Sequence, residues 1–134
     1  MRRQTFILFL FLTNIFYSQT FNEVSATSNI NHLYEQSNHM GGGAVFFDYN
    51  NDGWEDIYIT SGKGKDHLYK NLGNGNFSLI SDSWLDITEQ FYTVGVVSGD
   101  IDNDGFRDLF VTTWRGEDNT GNLKRNLLFI NNGD

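Results

Sequence analysis

The chain has no cysteine and no proline in 134 residues, and only nine lysines and arginines against 17 aspartates and glutamates. Without cysteine no disulfide can staple the fold, which makes a bound metal the natural reinforcement. No thiol follows the N-terminal apolar run to carry a lipid anchor either. The shortage of basic residues disfavours nucleic acid, because phosphate binding rests on clustered lysine and arginine. A membrane-spanning run of about 20 apolar residues is also missing. The apolar stretch from Phe6 to about Tyr17, behind Met1-Arg2-Arg3, is too short to span and reads as an export signal over residues 1–18. Cleavage near Ser18 is expected despite the bulky Phe16 at −3, and losing Arg2 and Arg3 takes the net charge from −8 to about −10. The expected location is therefore extracellular, at the cell surface, or periplasmic. Signs of catalysis are lacking as well: Gly95-Val96-Val97-Ser98-Gly99 is not a G-x-S-x-G elbow, and His32, His39 and His67 sit in no activating motif and read as surface residues.

What the chain does have is Asp100-Ile101-Asp102-Asn103-Asp104-Gly105-Phe106-Arg107-Asp108, with carboxylates at positions 1, 3, 5 and 9. Two carboxylates about 4 Å apart repel by roughly 4 kcal/mol at an effective dielectric near 20, so the run calls for a cation. Calcium takes six to eight hard oxygens in flexible geometry. Asp100, Asp102 and Asp104 would supply side-chain oxygens, Gly105 the turn that brings in the Phe106 carbonyl, and Asp108 the closing carboxylate. The device occurs earlier as Asp48-Tyr49-Asn50-Asn51-Asp52-Gly53-Trp54-Glu55-Asp56, with Asp48, Asn50, Asp52, the Trp54 carbonyl and Asp56 as ligands. Because Asn50 offers a neutral amide where the later loop has Asp102, the first of these two calcium sites should be weaker. Eight of the 17 acidic residues lie in the two loops, so the acidity has a local explanation. An ordinary Asp-Gly hairpin is the plain alternative and is compatible with a metal site. An EF-hand is not: position 12 is Ile59 or Val111, and both flanks are β-type.

Around the loops the chain reads as strands. Gly43 to Phe47 is a continuous apolar run, expected to be covered on both faces. Residues 57–60, 67–71 and 76–80 complete a four-stranded meander, with 61–65 as a loop and Leu72-Gly73-Asn74-Gly75 as a turn. Residues 94–99, 109–113 and 126–131 repeat the first three strands, separated by loops 81–93 and 115–125. Before Gly41, residues 20–25 alternate like a half-buried strand and 29–38 read as a polar loop, so 19–40 form an N-terminal strand and linker. Asn76-Phe77-Ser78 fits a glycosylation pattern and is read as a chance match.

Gly43-Ala44-Val45 leading into D-x-N-x-D-G-x-x-D, followed by Leu68-Tyr69-Lys70-Asn71-Leu72-Gly73-Asn74-Gly75-Asn76-Phe77, resembles the FG-GAP/VCBS repeat. It is most similar to the branch holding cartilage acidic protein and bacterial ASPIC/UnbV-type proteins. The resemblance covers about residues 41–134. It implies an all-β protein of four-stranded antiparallel β-propeller blades, like those of integrin α chains. A first blade spans 41–93 and an incomplete second spans 94–134, about 1.6 blades at the 52-residue interval from Asp48 to Asp100. The chain looks truncated, with the remaining blades elsewhere. Blade topology puts the metal loops on one rim, and loops 61–65, 81–93 and 115–125 on the other as candidates for contact with an extracellular protein or carbohydrate. Trp84 and Trp114, near that rim, are expected to pack in the core rather than stack on sugar rings. Three functions follow: a calcium-stabilised module for adhesion or recognition, a non-catalytic part of an extracellular hydrolase or lyase, and a structural spacer.

Overall fold

The computed structural model describes residues 18–34, 41–114 and 125–133. The expected export signal up to residue 17 and nearly all of the loop 115–125 lie outside them. Among the described residues no helix is long and apolar enough to cross a membrane.

Strands β1 (Ala44–Phe47), β2 (Asp56–Ile59), β4 (His67–Asn71) and β5 (Phe77–Ile80) form an antiparallel sheet in the order β1-β2-β4-β5. This is the expected meander. A second antiparallel sheet runs β3-β6-β7-β8, from β3 (Gly62–Lys63), β6 (Tyr92–Gly99), β7 (Asp108–Trp114) and β8 (Leu127–Phe129). The register places Phe47 opposite Asp56 and Gly99 opposite Asp108, so each Asp-rich run is the tip of a two-strand hairpin. The architecture is an all-β pair of propeller-like blades, as the sequence implied.

Period-2 alternation decides what lies between the sheets. Phe47, Tyr58 and Leu68 of the first sheet meet Leu109, Val111 and Leu127 of the second, and Leu85 fills the seam. Each such side chain contributes about 1.5–3 kcal/mol on leaving water. Opposite faces remain open: Val97, Phe110 and Leu128 stand side by side across three strands at 61%, 36% and 51% exposure. The innermost strands approach so closely that a Cβ on Gly43 would lie 2.8 Å from the Gly95 Cα. Glycine at 43 is therefore a packing requirement.

Polar chemistry also joins the sheets. Asp66 is 1% exposed, and its Oδ1 accepts from the Ser61 N–H (2.8 Å) and the Thr93 hydroxyl (2.6 Å). Its Oδ2 accepts from the Tyr58 hydroxyl at 2.8 Å, while its own N–H donates to Thr88 Oγ1 at 2.9 Å. Asp66 thus ties β2 and β6 together through its carboxyl and the intervening helix through its N–H. Burial pushes its pKa up, against the pull of those donors.

Several expectations are corrected. Loop 61–65 contains β3, which adds to the second sheet by pairing Gly62 with Thr93 and Lys63 with Tyr92. Loop 81–93 holds a 3-10 helix, Ser83–Gln90, and β6 begins at Tyr92 rather than Val94. Leu85 and Thr88 are three apart, so a three-residue turn buries both on one side, with the Thr88 hydroxyl donating to the Leu85 carbonyl. β1 is covered on one face only, with Phe46 at 62% exposure, because no described element packs against the other. Residues 20–25 form no strand. Phe21 is 99% exposed, and a turn at 25–29 follows. Trp84 packs against Phe129 and Tyr58 as expected, but Trp114, at the end of β7, is 45% exposed. His32 and His67 are half-buried and touch one another instead of facing solvent separately.

Removing the Asp66 carboxyl strands three buried donors, each costing about 1–3 kcal/mol, partly offset by relief of the buried charge. We expect Asp66→Ala to lower stability by about 3 kcal/mol in urea unfolding. Asp86→Ala, which breaks only the exposed Lys65–Asp86 pair, should change it by less than about 0.5 kcal/mol. Similar losses in the two variants would refute the hub.

Candidate metal centre

Each Asp-rich tip is closed by the same hydrogen bonds. Asp48 accepts from the N–H groups of Asp52 (3.1 Å) and Gly53 (2.7 Å), and Asp100 from those of Asn103, Asp104 and Gly105 at 2.7, 3.1 and 3.0 Å. Asp52 accepts from the Trp54 N–H, and Asp104 from the Phe106 N–H. Folding the loop onto its first carboxylate requires left-handed backbone. Asn51 (φ 54°) and Gly53 (φ 87°) supply it in one loop, and Asn103 (φ 68°) and Gly105 (φ 91°) in the other.

The ninth residue of each run is buried and uses both oxygens. Asp56 takes the Tyr49 N–H on Oδ2 (3.0 Å) and the Asn71 N–H on Oδ1 (2.7 Å). Asp108 takes the Ile101 N–H on Oδ2 (2.7 Å) and the Asn131 N–H on Oδ1 (2.8 Å). Burial raises the Asp56 pKa above the usual carboxylate value, although both N–H bonds pull it down. Asn71 and Asn131, whose roles the sequence reading missed, link loop to hairpin. Each accepts from the glycine two residues on, Gly73 or Gly133, and Asn131 also donates 2.7 Å across to the Tyr49 carbonyl. With the Asn51 amide donating to the Gly105 carbonyl at 3.3 Å, the two tips are joined on one rim. The signal for these asparagines was the repeated Asn-x-Gly in the two hairpins.

The tips differ in how their carboxylates converge. One oxygen each from Asp100, Asp102 and Asp108 lies within 4.8 Å of the others, the only such group among the described residues. Oxygens bound to one calcium at about 2.3–2.6 Å fall within about twice that span of each other, so this triangle fits the ion. Asp104 stands outside it. Desolvation first, then the charges of Asp104, Asp108 and Asp100, raises the Asp102 pKa. In the first loop Asp48, Asp52 and Asp56 form no such group. The Lys70 ammonium sits 3.2 Å from Asp52 Oδ2, and the Asn50 amide donates to the same oxygen. Partial desolvation works against ionisation of Asp52, but the Trp54 N–H and Lys70 outweigh it and hold its pKa below the usual value. At the position of Lys70 the second hairpin has Ile130, which offers no such cation. Trp54 and Phe106 contribute in another way too, each ring lying over its hairpin glycine, Gly73 or Gly133.

Two antiparallel sheets, each with an Asp-rich tip on the same rim, define a propeller-type repeat module. Residues 48–111 match the family model described as FG-GAP-like repeat, and that stretch, which contains both tips, belongs to the FG-GAP-like repeat family. No curated protein and no solved structure matches the chain.

The hydrogen bonds separate two kinds of aspartate. In chelator, Asp108→Ala should cost about 2–4 kcal/mol, because the Ile101 and Asn131 N–H groups lose their acceptor. Asp102→Asn should do the opposite. A raised folded pKa gives stability that is complete below the unfolded value and lost as pH rises through the folded one. The variant should therefore match the parent near pH 3 and melt higher at pH 7. Lower melting of Asp102→Asn at pH 7 in chelator would count against this reading.

Proposed function

We propose that the two tips bind calcium and that the module is an exported, non-catalytic propeller repeat for adhesion or for recognition of protein or carbohydrate. The convergence of Asp100, Asp102 and Asp108 oxygens within 4.8 Å carries the reading. The shared scaffold at Asp48, Asp52 and Asp56 supports a second, weaker site, where an ion must displace Lys70. Export is supported by the basic and apolar N-terminus. The L-Y-x-N-x-G-x-G-x-F hairpin supports kinship with the cartilage acidic protein branch.

For the recognition surface, Lys63, Tyr92 and Trp114 are paired in a row across β3, β6 and β7, on the rim away from the tips. Arg125 lies beside that row, its carbonyl accepting from the Thr113 hydroxyl. Basic residues in and beside a row that holds an exposed indole suit a mixed-charge protein surface or a sugar ring. That row favours recognition over the spacer and the hydrolase or lyase component.

Calcium at one hundred times its Kd would stabilise the fold by about 2.7 kcal/mol per site. Thermal melts should rise with calcium, and magnesium should substitute poorly because it demands tight octahedral geometry. Asp108→Ala should remove more of the calcium increment than Asn50→Ala, whereas Lys70→Met should enlarge it. Equal melting temperatures with calcium and with chelator would end the metal reading.

A further inference from the structure

Away from the acidic rim, two imidazoles from distant parts of the chain meet. His32 Nδ1 lies 3.0 Å from His67 Nδ1 across 35 residues of sequence, with the rings edge to face at 86°. His67 opens β4, while His32 lies on the N-terminal segment, which is otherwise held to the blade by the Phe77 N–H on the Ser28 carbonyl and the Tyr69 hydroxyl on the Asn31 carbonyl. That phenol is also 3.4 Å from His67 Nδ1. Two nitrogens and a phenol oxygen from separate segments thus gather at one place.

We propose that His32 and His67 bind a borderline divalent transition-metal ion, such as copper or zinc, through their Nδ1 atoms, with the Tyr69 phenol as an adjacent oxygen donor. Metal–imidazole bonds are about 2.0–2.1 Å, so cis nitrogens on one ion lie about 2.9 Å apart in tetragonal geometry and about 3.3 Å apart in tetrahedral geometry. The observed 3.0 Å, now a hydrogen bond between the two rings, falls between these values, so an ion can replace the shared proton once the rings turn to face it. Coordination through Nδ1 puts a hydrogen on each Nε2. His32 Nε2 is buried and makes no hydrogen bond of ordinary geometry, yet the Thr60 carbonyl is close enough to act on the ring.

The charges nearby pull in both directions. Burial lowers the pKa of both rings, which keeps their lone pairs free at neutral pH. Asp66 acts on His32 in favour of a cation, and Lys65 acts on His67 against one. Imidazole nitrogen suits copper and zinc, whereas calcium prefers hard oxygen, so this site and the acidic tips select different ions. A bound ion would fasten the N-terminal segment to β4.

The test is titration of the full chain with copper(II), then zinc(II), in saturating calcium and a non-coordinating buffer. One copper should bind, with nitrogen hyperfine structure from two imidazoles in the electron paramagnetic resonance spectrum. The melting temperature should rise by several degrees. His32→Gln and His67→Gln should each weaken binding at least tenfold, and affinity should fall below about pH 6 as the rings protonate. His32 lies outside the sheets, so its variant tests the site even if His67→Gln fails to fold. Spectra without nitrogen coupling, or affinity unchanged in His32→Gln, would overturn the proposal. Neither result depends on the acidic tips binding calcium.

Discussion

The fold turns on a buried carboxylate that serves three pieces of chain at once. Asp56 and Asp108 begin β2 and β7, and each offers one oxygen to the start of its own loop and the other to the chain at the end of the strand paired with its own, β4 or β8. A buried acceptor with two backbone N–H donors fixes loop, return strand and hairpin relative to one another. Side-chain packing alone would leave the strands free to slide in register. Here the Asp–amide bonds pin the rim, and alternation of apolar residues then decides which face is buried.

Repetition is clearer in these bonds than in chain length. The acidic runs start 52 residues apart, but the hairpin asparagines that serve them, Asn71 and Asn131, are separated by 60. Between β7 and β8 the second blade carries extra chain, while its acidic tip keeps the donor pattern of the first. Two of the differences between the blades bear on a prospective ion. Asn50 stands for Asp102, and Lys70 stands for Ile130. The first tip thus has a tethered ammonium on one of its carboxylates, whereas among the described residues no ion pair reaches Asp100, Asp102 or Asp108 of the second.

How much was legible followed the range of the contacts. The two Asp-Gly turns and the meander were read correctly because their determinants lie within nine residues or in a hairpin. Asp66 looked like an ordinary loop aspartate: its partners Thr88 and Thr93 are 22 and 27 residues away, and neither carries a motif. The same distance concealed the meeting of His32 and His67. β3 was hidden because two residues carry no periodicity, and the 3-10 helix because its buried pair, Leu85 and Thr88, includes a threonine. At Phe46 an apolar run was mistaken for burial on both faces, since sequence records a residue's preference and not whether another element arrives to cover it.

The convergence of Asp100, Asp102 and Asp108 also locates the contribution an ion would make. Asp100 is already served by three backbone donors and Asp108 by two, so neither needs a cation to be solvated. Asp102 differs: its neighbours are carboxylates, and desolvation together with their charge raises its pKa, against the pull of one N–H bond from Asp104. A divalent ion placed in the triangle would reverse the sign of the field at Asp102 while leaving the amide bonds of the other two intact. Metal and backbone amides then have separate tasks, the amides shaping the tip and the ion offsetting the repulsion that gathers at Asp102.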